Sequence, residues 1–437
     1  MRGPDPNPAA RRLPFRRHVD RLANGLPVVT VEMPHLHAAS IVLFAKVGSR
    51  YESVRDNGLS HFLEHMLFRG TAALPDAYRL SHAIEAIGGT LYAETGRDYS
   101  LYQVSLHPDT LADGLRLFGE IFTRPAFADI EVERRVILEE LSEDLDDAGR
   151  FVQIDDLARA AAFDGHPLAQ RIIGPRRNVE RFSLADVQRH FQRRYAAANT
   201  VLCVAGAARR SQVRAVTAAA FAAIPAGRRQ PTAPPRRPAG PRLIVTRHAA
   251  SQTEVQILFR AFGERDRDYP ALLLLARVID DGMSTRLHRR LIDELGLAYY
   301  VSGSVEHFHD TGLYEIDGAA AHENVPAFVA ESVRVLQRLC REPPTDDELD
   351  KAKRRYRWDL ESGFDDPDAM ASWWGGTELF FGPVGYTEKL ARIAAVTPRD
   401  VQRAAARIFR PERMTVACVG LLSRAHARQV QAIVQNG

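Results

Sequence analysis

The tetrapeptide Asp186-Val187-Gln188-Arg189 returns as Asp400-Val401-Gln402-Arg403, an offset of 214 positions (400 − 186) in a chain of 437 residues. At the same offset Tyr195 meets Phe409 and Gly206 meets Gly420. Each copy reads as a helix, a turn and a buried strand, Thr200 to Val204 in one and Met414 to Val419 in the other. An offset of half the chain is what duplication of one domain produces. Between the copies, Pro225 to Pro241 holds six prolines and four arginines, with no other apolar residue larger than Ala. That stretch can form neither a helix nor a central strand, and reads as an extended linker. The expected organisation is a domain over 1–224, a linker over 225–241 and a homologous domain over 242–437.

Within each half, strands and helices are segregated. Val28 to Glu32, Ile41 to Ala45 and Leu101 to Leu106 read as strands around a helix at Ala77 to Ile87. Leu243 to Val245, Glu254 to Phe259, Tyr299 to Val305 and Leu313 to Ile316 repeat the plan. This predicts an α+β fold, each domain an antiparallel sheet covered by helices on one face. With 45% hydrophobic residues, two full cores can be built.

The chemistry concentrates at His61-Phe62-Leu63-Glu64-His65. Two imidazoles four positions apart lie on one helix face and can reach a single ion. Zinc suits them, and a catalytic zinc site has three protein ligands and one open position. Glu64 stands beside the second His, within reach of a water's proton. The order His-x-x-Glu-His is the inverzincin signature. Leu59, Phe62, Leu63, Met66, Leu67 and Phe68 make the helix apolar, so polar groups inside it need a partner. Asn57 or Ser60 can cap its start and Gly70 can end it.

A third ligand must come from elsewhere. Ile130 to Leu141 reads as helix, with Val136, Ile137 and Leu141 on its apolar stripe. Glu133 and Glu140 are seven apart and share that side, whereas Glu139 is turned by about 100°. Glu140 is the expected ligand. Glu133 would stand behind the metal site or close to the substrate. The second half has no His-x-x-Glu-His, which gives one metal site per chain.

These residues resemble the pitrilysin superfamily, which includes insulysin and the mitochondrial processing peptidase. The stretch His61 to Thr71 is similar to the processing-peptidase form, and Val136 to Leu141 matches the segment carrying the third ligand. Gly88-Gly89-Thr90-Leu91, Gly174-Pro175, Ser284-Thr285-Arg286-Leu287 and Gly296-Leu297-Ala298-Tyr299 extend the resemblance nearly end to end. It implies a small bacterial two-domain zinc endopeptidase acting on peptides or unfolded segments, with one Zn2+ on His61, His65 and Glu140. Glu64 would be the general base, and a second family glutamate falls on Glu133. Substrate would pair with the strand around Tyr92 and Ala93 and meet Tyr299.

Two departures bear on substrate. Tyr92 stands where the family has Asn, and Ile292 stands where the family has the Arg seven residues before its Tyr. An aliphatic side chain cannot replace a guanidinium at a carbonyl or carboxylate. The resemblance then implies a partner: a homologous, non-catalytic subunit that supplies an Arg/Tyr pair. The alternative is a homodimer or monomer in which Arg286, Arg289 or Arg290 substitutes. A core-subunit role without catalysis, and a zinc hydrolase of non-peptide substrates, are the competing functions.

Charge excludes other classes. The 58 basic and 55 acidic residues nearly cancel, and no zinc knuckle, phosphate loop or aromatic-basic platform points to nucleic acid. Cys203, Cys340 and Cys418 are odd in number and widely spaced, and read as reduced thiols. No apolar run of 18 residues is present, so no membrane helix is expected. The expected location is cytoplasmic, although an export signal removed from a longer precursor would leave no trace.

Overall fold

The β-branched and aromatic runs fold as the two sheets that the duplication requires. The computed structural model describes residues 13–238, 240–382 and 384–436. The first sheet contains β1 (Arg16–Arg21), β2 (Pro27–Glu32), β3 (Ala39–Ala45), β4 (Thr90–Thr95), β5 (Ser100–Leu106) and β6 (Thr200–Gly206), in the order β1-β2-β6-β3-β5-β4. The second contains β7 (Arg242–Arg247), β8 (Thr253–Phe262), β9 (Ala298–His307), β10 (Thr311–Ala320) and β11 (Met414–Gly420), in the order β7-β11-β8-β10-β9.

The repeated segment explains itself here. Asp186 and Asp400 are the third residues of two helices, Leu184–Arg194 and Pro398–Ile408. Each closes a capping box, Asp186 with Ser183 and Asp400 with Thr397, accepting a backbone N–H at 2.9 Å and 2.8 Å. The strands that follow, β6 and β11, are inserted at equivalent places in the two sheets. Each runs parallel to one neighbour, β6 to β2 and β11 to β7, and antiparallel to the other. The sheets are therefore mixed. A strand that returns from a helix on the sheet's face enters parallel to a neighbour, unlike one that returns through a hairpin.

Every residue of β3 is buried, so both faces of this sheet are covered. Ile41 and Leu43 pack in one cluster with Leu111, Leu115 and Phe118 of the helix Leu111–Thr123 that follows β5. Phe44 points the other way, against the helix Pro367–Phe380. There a Cβ on Gly375 would come within 2.7 Å of the Phe44 ring and 3.1 Å of Cys203 Cβ. The second sheet gains an equivalent cover from the helix Ile154–Ala162. Its Ala158 and Ala162 pack on Leu258, Leu313 and Ala417.

The two compact units are accordingly not linear halves. One gathers the chain to Leu141 with Arg171–Thr232 and Asp359–Thr387, the other Ser142–Gln170, Ala233–Trp358 and Glu388 onward. One helical face per sheet, as expected, leaves a second apolar face bare, and a segment from beyond the linker fills it. No helix among the described residues is long and apolar enough to cross a membrane.

Candidate metal centre

The helix Leu59–Leu67 buries Leu59, Phe62, Leu63, Met66 and Leu67, which leaves His61, Glu64 and His65 on its half-buried face. Its start is not capped by Asn57 or Ser60. Glu52, only 4% exposed, accepts the N–H of Gly58 at 2.9 Å and of Ser60 at 2.6 Å. Asn57 instead braces Glu52 through its side-chain amide at 3.1 Å. Gly58 has φ +98°, and a Cβ there would lie 2.4 Å from the Ile173 carbonyl oxygen. A carboxylate reaching back from six residues upstream has no sequence signature, whereas the glycine turn does.

The second glutamate-bearing helix, Ile130–Glu143, presents Glu133, Ile137 and Leu141 inward. Val136, placed on the apolar stripe by its spacing, is 48% exposed. The buried line therefore runs through Glu133, Ile137 and Leu141, and Glu140 stands at its edge with its side chain 43% exposed. Glu140 Oε1 lies 3.4 Å from His61 Nε2, and its Oε2 lies 3.7 Å from His65 Nε2. All three donor atoms lie within 4.8 Å of one another. Ligand atoms on a tetrahedral zinc, each about 2.0–2.1 Å from the ion, are about 3.3 Å apart. The donor set therefore fits zinc in chemistry and in spacing.

Electrostatics agree. Burial, with His65 nearby, pushes the His61 pKa down to about 3, so this imidazole is neutral, as a metal ligand must be. Burial opposes charge on His65 as well. There the hydrogen bond donated to Glu133 and the charge of Glu140 outweigh it, and the pKa is raised. A cation in the site would take over what that proton does.

Glu133 is not in the donor set. Its Oε2 sits 3.0 Å from His65 Nδ1, and its Oε1 is 3.2 Å from Nη1 of Arg69, whose Nη2 holds Asp129. It therefore orients the second imidazole from behind. Arg69 falls within the matching stretch His61 to Thr71, but the sequence assigns it no role. Thr95 was also missed. At the end of β4, its hydroxyl donates to Glu64 Oε2 at 2.5 Å. Burial raises the Glu64 pKa, and the Thr95 hydrogen bond works against that rise.

β4 itself is an edge strand, paired only to β5 among the described residues. Tyr92 on it is 52% exposed and Ala93 half-buried, and the Tyr92 hydroxyl donates to Glu94 at 3.2 Å. Tyr299 stands on β9, the edge of the second sheet, 92% exposed. Ile292 lies half-buried in a short wide-turn helix, Arg289–Glu294. The metal set, Glu64, Glu133 and Tyr92–Ala93 thus share one compact unit, and Tyr299 belongs to the other.

Comparison with known proteins places the chain in a family context. The family model described as insulinase (peptidase family M16) matches residues 27–176, and that of the peptidase M16 inactive domain matches residues 181–356. An uncharacterized zinc protease of Mycobacterium tuberculosis is 31% identical over 425 residues, spanning 95% of this chain and 94% of its own. The mitochondrial-processing peptidase subunit beta of Dictyostelium discoideum is 27% identical over 431 residues, spanning 95% and 91%. Among solved structures, a protease from Helicobacter pylori shares the fold with a TM-score of 0.85 at 22% identity, covering 94% of this chain and all of that one.

Proposed function

Since the chain belongs to the insulinase family of peptidases (family M16), we infer that it is a zinc-dependent endopeptidase cutting peptides or unfolded protein segments. The observation that carries this reading is the convergence of His61, His65 and Glu140 beside a separately held Glu64. One zinc per chain bound there would polarise the scissile carbonyl and acidify water. Glu64 would take a proton from the attacking water and pass it to the leaving amine. Thr95 fixes one Glu64 oxygen, so the other is presented in one orientation. Glu133 and Arg69 hold His65 in the tautomer whose Nε2 faces the metal site. The outer edge of β4 offers backbone groups along which an extended substrate would add as a strand, Tyr92 and Ala93 contacting it. The intact set of four residues argues against a purely structural core subunit.

We propose further that this chain is the zinc-bearing member of a pair. Arg286, Arg289 and Arg290 are each engaged by carboxylates: Arg286 with Glu348 at 2.7 Å, Arg289 with Glu294 at 2.9 Å, and Arg290 with Glu331 and Glu294 at 2.9 Å. Their guanidinia are committed, which weakens the homodimer or monomer alternative. It supports a homologous, non-catalytic partner that brings the Arg/Tyr pair, with Tyr299 exposed on this chain.

Glu64→Gln tests the central claim. Zinc content should stay at one per chain while cleavage of a quenched peptide falls about 10²–10⁴-fold. A variant as active as the wild type overturns the mechanism.

A further inference from the structure

The Pro/Arg linker does more than space the two halves. Within the second compact unit, residues 233–238 run beside the end of the helix Ile154–Ala162 and the strands β7, β8 and β11. Together they line a partly open cleft of about 200 Å³. Arg236, Arg237, Arg242, Arg260 and Arg413 line it, and among the described residues Asp164 is the one carboxylate on its wall. Asp164 is already spent on Arg242, at 2.9 Å. Arginines gathered from the linker, from β7 and β8 and from the turn before β11 around one cleft make it attractive to an anion.

The side chains are set rather than merely gathered. Arg260 is 7% exposed, stacks 4.2 Å from the Phe163 ring and donates to the Ala162 carbonyl at 3.1 Å. Arg413 in turn donates to the Arg260 carbonyl at 3.1 Å. Burial, then the like charges of Arg410, Arg407 and Arg237 against the opposing Glu412, hold the Arg413 pKa below its usual range. Arg236 and Arg237 are exposed, yet they stand between Pro235 and Pro238, whose fixed φ limits how far that loop can wander. His166 Nε2 lies 3.0 Å from the Ala233 carbonyl oxygen and fastens the linker to the same wall.

We propose that this cleft binds a small phosphoanion of the orthophosphate or pyrophosphate class. Planar guanidinia present paired N–H donors that match phosphate oxygens, and here arginines from the linker and the sheet converge on one cleft. A volume of about 200 Å³ accommodates one or two phosphoryl groups and falls short of the roughly 300 Å³ at which drug-sized pockets begin. The ligand would bridge the linker to the sheet and so order residues 233–238. This is independent of the peptidase reading, because no residue of the metal centre takes part.

The full-length zinc-loaded chain should be titrated calorimetrically with inorganic pyrophosphate, and in parallel with orthophosphate, at constant ionic strength. Saturable one-to-one binding of at least one of the two is expected. Arg236→Gln/Arg237→Gln should weaken it at least tenfold, and Arg413→Gln should weaken it as well. Arg177→Gln, an exposed arginine in the other unit, should leave it unchanged. Any binding of pyrophosphate to the metal itself is common to all these proteins and cancels in the comparison. As a second readout, the bound anion should slow tryptic cleavage after Arg236. Non-saturable binding, equal affinity in wild type and the linker variant, or an equal loss in Arg177→Gln overturns the proposal.

Discussion

Glu133 Oε2 stands 3.0 Å from His65 Nδ1, on the far side of the ring from the nitrogen that approaches Glu140. A carboxylate in that place sets the tautomer and strengthens the imidazole as a donor. Glu133→Gln should therefore keep all three ligands yet lower zinc affinity about 10–100-fold. Competition with a chromogenic chelator measures this, and an unchanged affinity would remove Glu133 from the metal site's support.

Glu140 and its neighbour make a sharper pair. Glu140 faces both imidazoles, whereas Glu139 is exposed on the same helix. Glu140→Gln should leave the dialysed protein with substoichiometric zinc, and Glu139→Gln should retain a full complement. Metal analysis of the two variants side by side decides it. The reverse pattern would mean that the helix turns the other way.

How far the site was legible follows from which signals are local. His61, Glu64 and His65 share one turn and a half of helix, so their spacing alone places them together. Glu140 could be picked over Glu139 because helical phase is periodic. Glu52 and Thr95 are joined to the site only by the fold, and nothing in their neighbourhoods marks them; Arg69 lies in the motif stretch, but its role depends on Glu133 of another helix. The strand β1, Arg-Arg-His-Val-Asp-Arg, escaped for another reason. It lies at a sheet edge where charged residues are tolerated, so the alternation that betrays a strand is missing. The capping aspartates 186 and 400 were visible as a repeat, although their purpose was not.

Stability in acid should register Glu348. Burial would raise its pKa, but hydrogen bonds from Arg286 and the Thr345 backbone outweigh that and hold it at about 2, against 4.5 in the ordinary group. A depressed native pKa stabilises the fold above the unfolded value and loses that contribution as pH falls from about 4.5 towards 2. Glu348→Gln should cost about 1–2 kcal/mol at pH 7, allowing for solvent screening of this partly exposed pair. The gap to wild type in urea unfolding should narrow below pH 4.5. A gap that is constant with pH would show that the ion pair contributes nothing.

Gly375 reverses a familiar rule. Gly to Ala inside a helix normally gains about 1 kcal/mol. Here the added methyl would meet the Phe44 ring at 2.7 Å, in a layer where Phe44 is 4% exposed and Cys203 fully buried. Overpacking of that kind costs about 1–3 kcal/mol. Gly375→Ala should lower the denaturation midpoint, and Gly375→Val should lower it further. A more stable Gly375→Ala would show that the ring moves aside freely.

The proposed partner can be tested by purification. This chain alone should cleave a quenched peptide poorly, and adding a homologous subunit that carries the Arg/Tyr pair should raise the rate by at least tenfold. Full activity in isolation, unaltered by the second subunit, would end the two-subunit proposal.

The helix Pro367–Phe380 lies in the translated order beyond the linker, yet it completes the sheet built by the first half, as Ile154–Ala162 does for the second. Each half of the gene thus encodes a piece of the other's interior. A protease that nicks the chain between Pro225 and Pro241 would produce two fragments that remain bound. Expressed separately, each fragment would show a bare apolar sheet face and aggregate, and only co-expression would restore the fold. During synthesis the first half must wait, incomplete, until more than three hundred and sixty residues have left the ribosome.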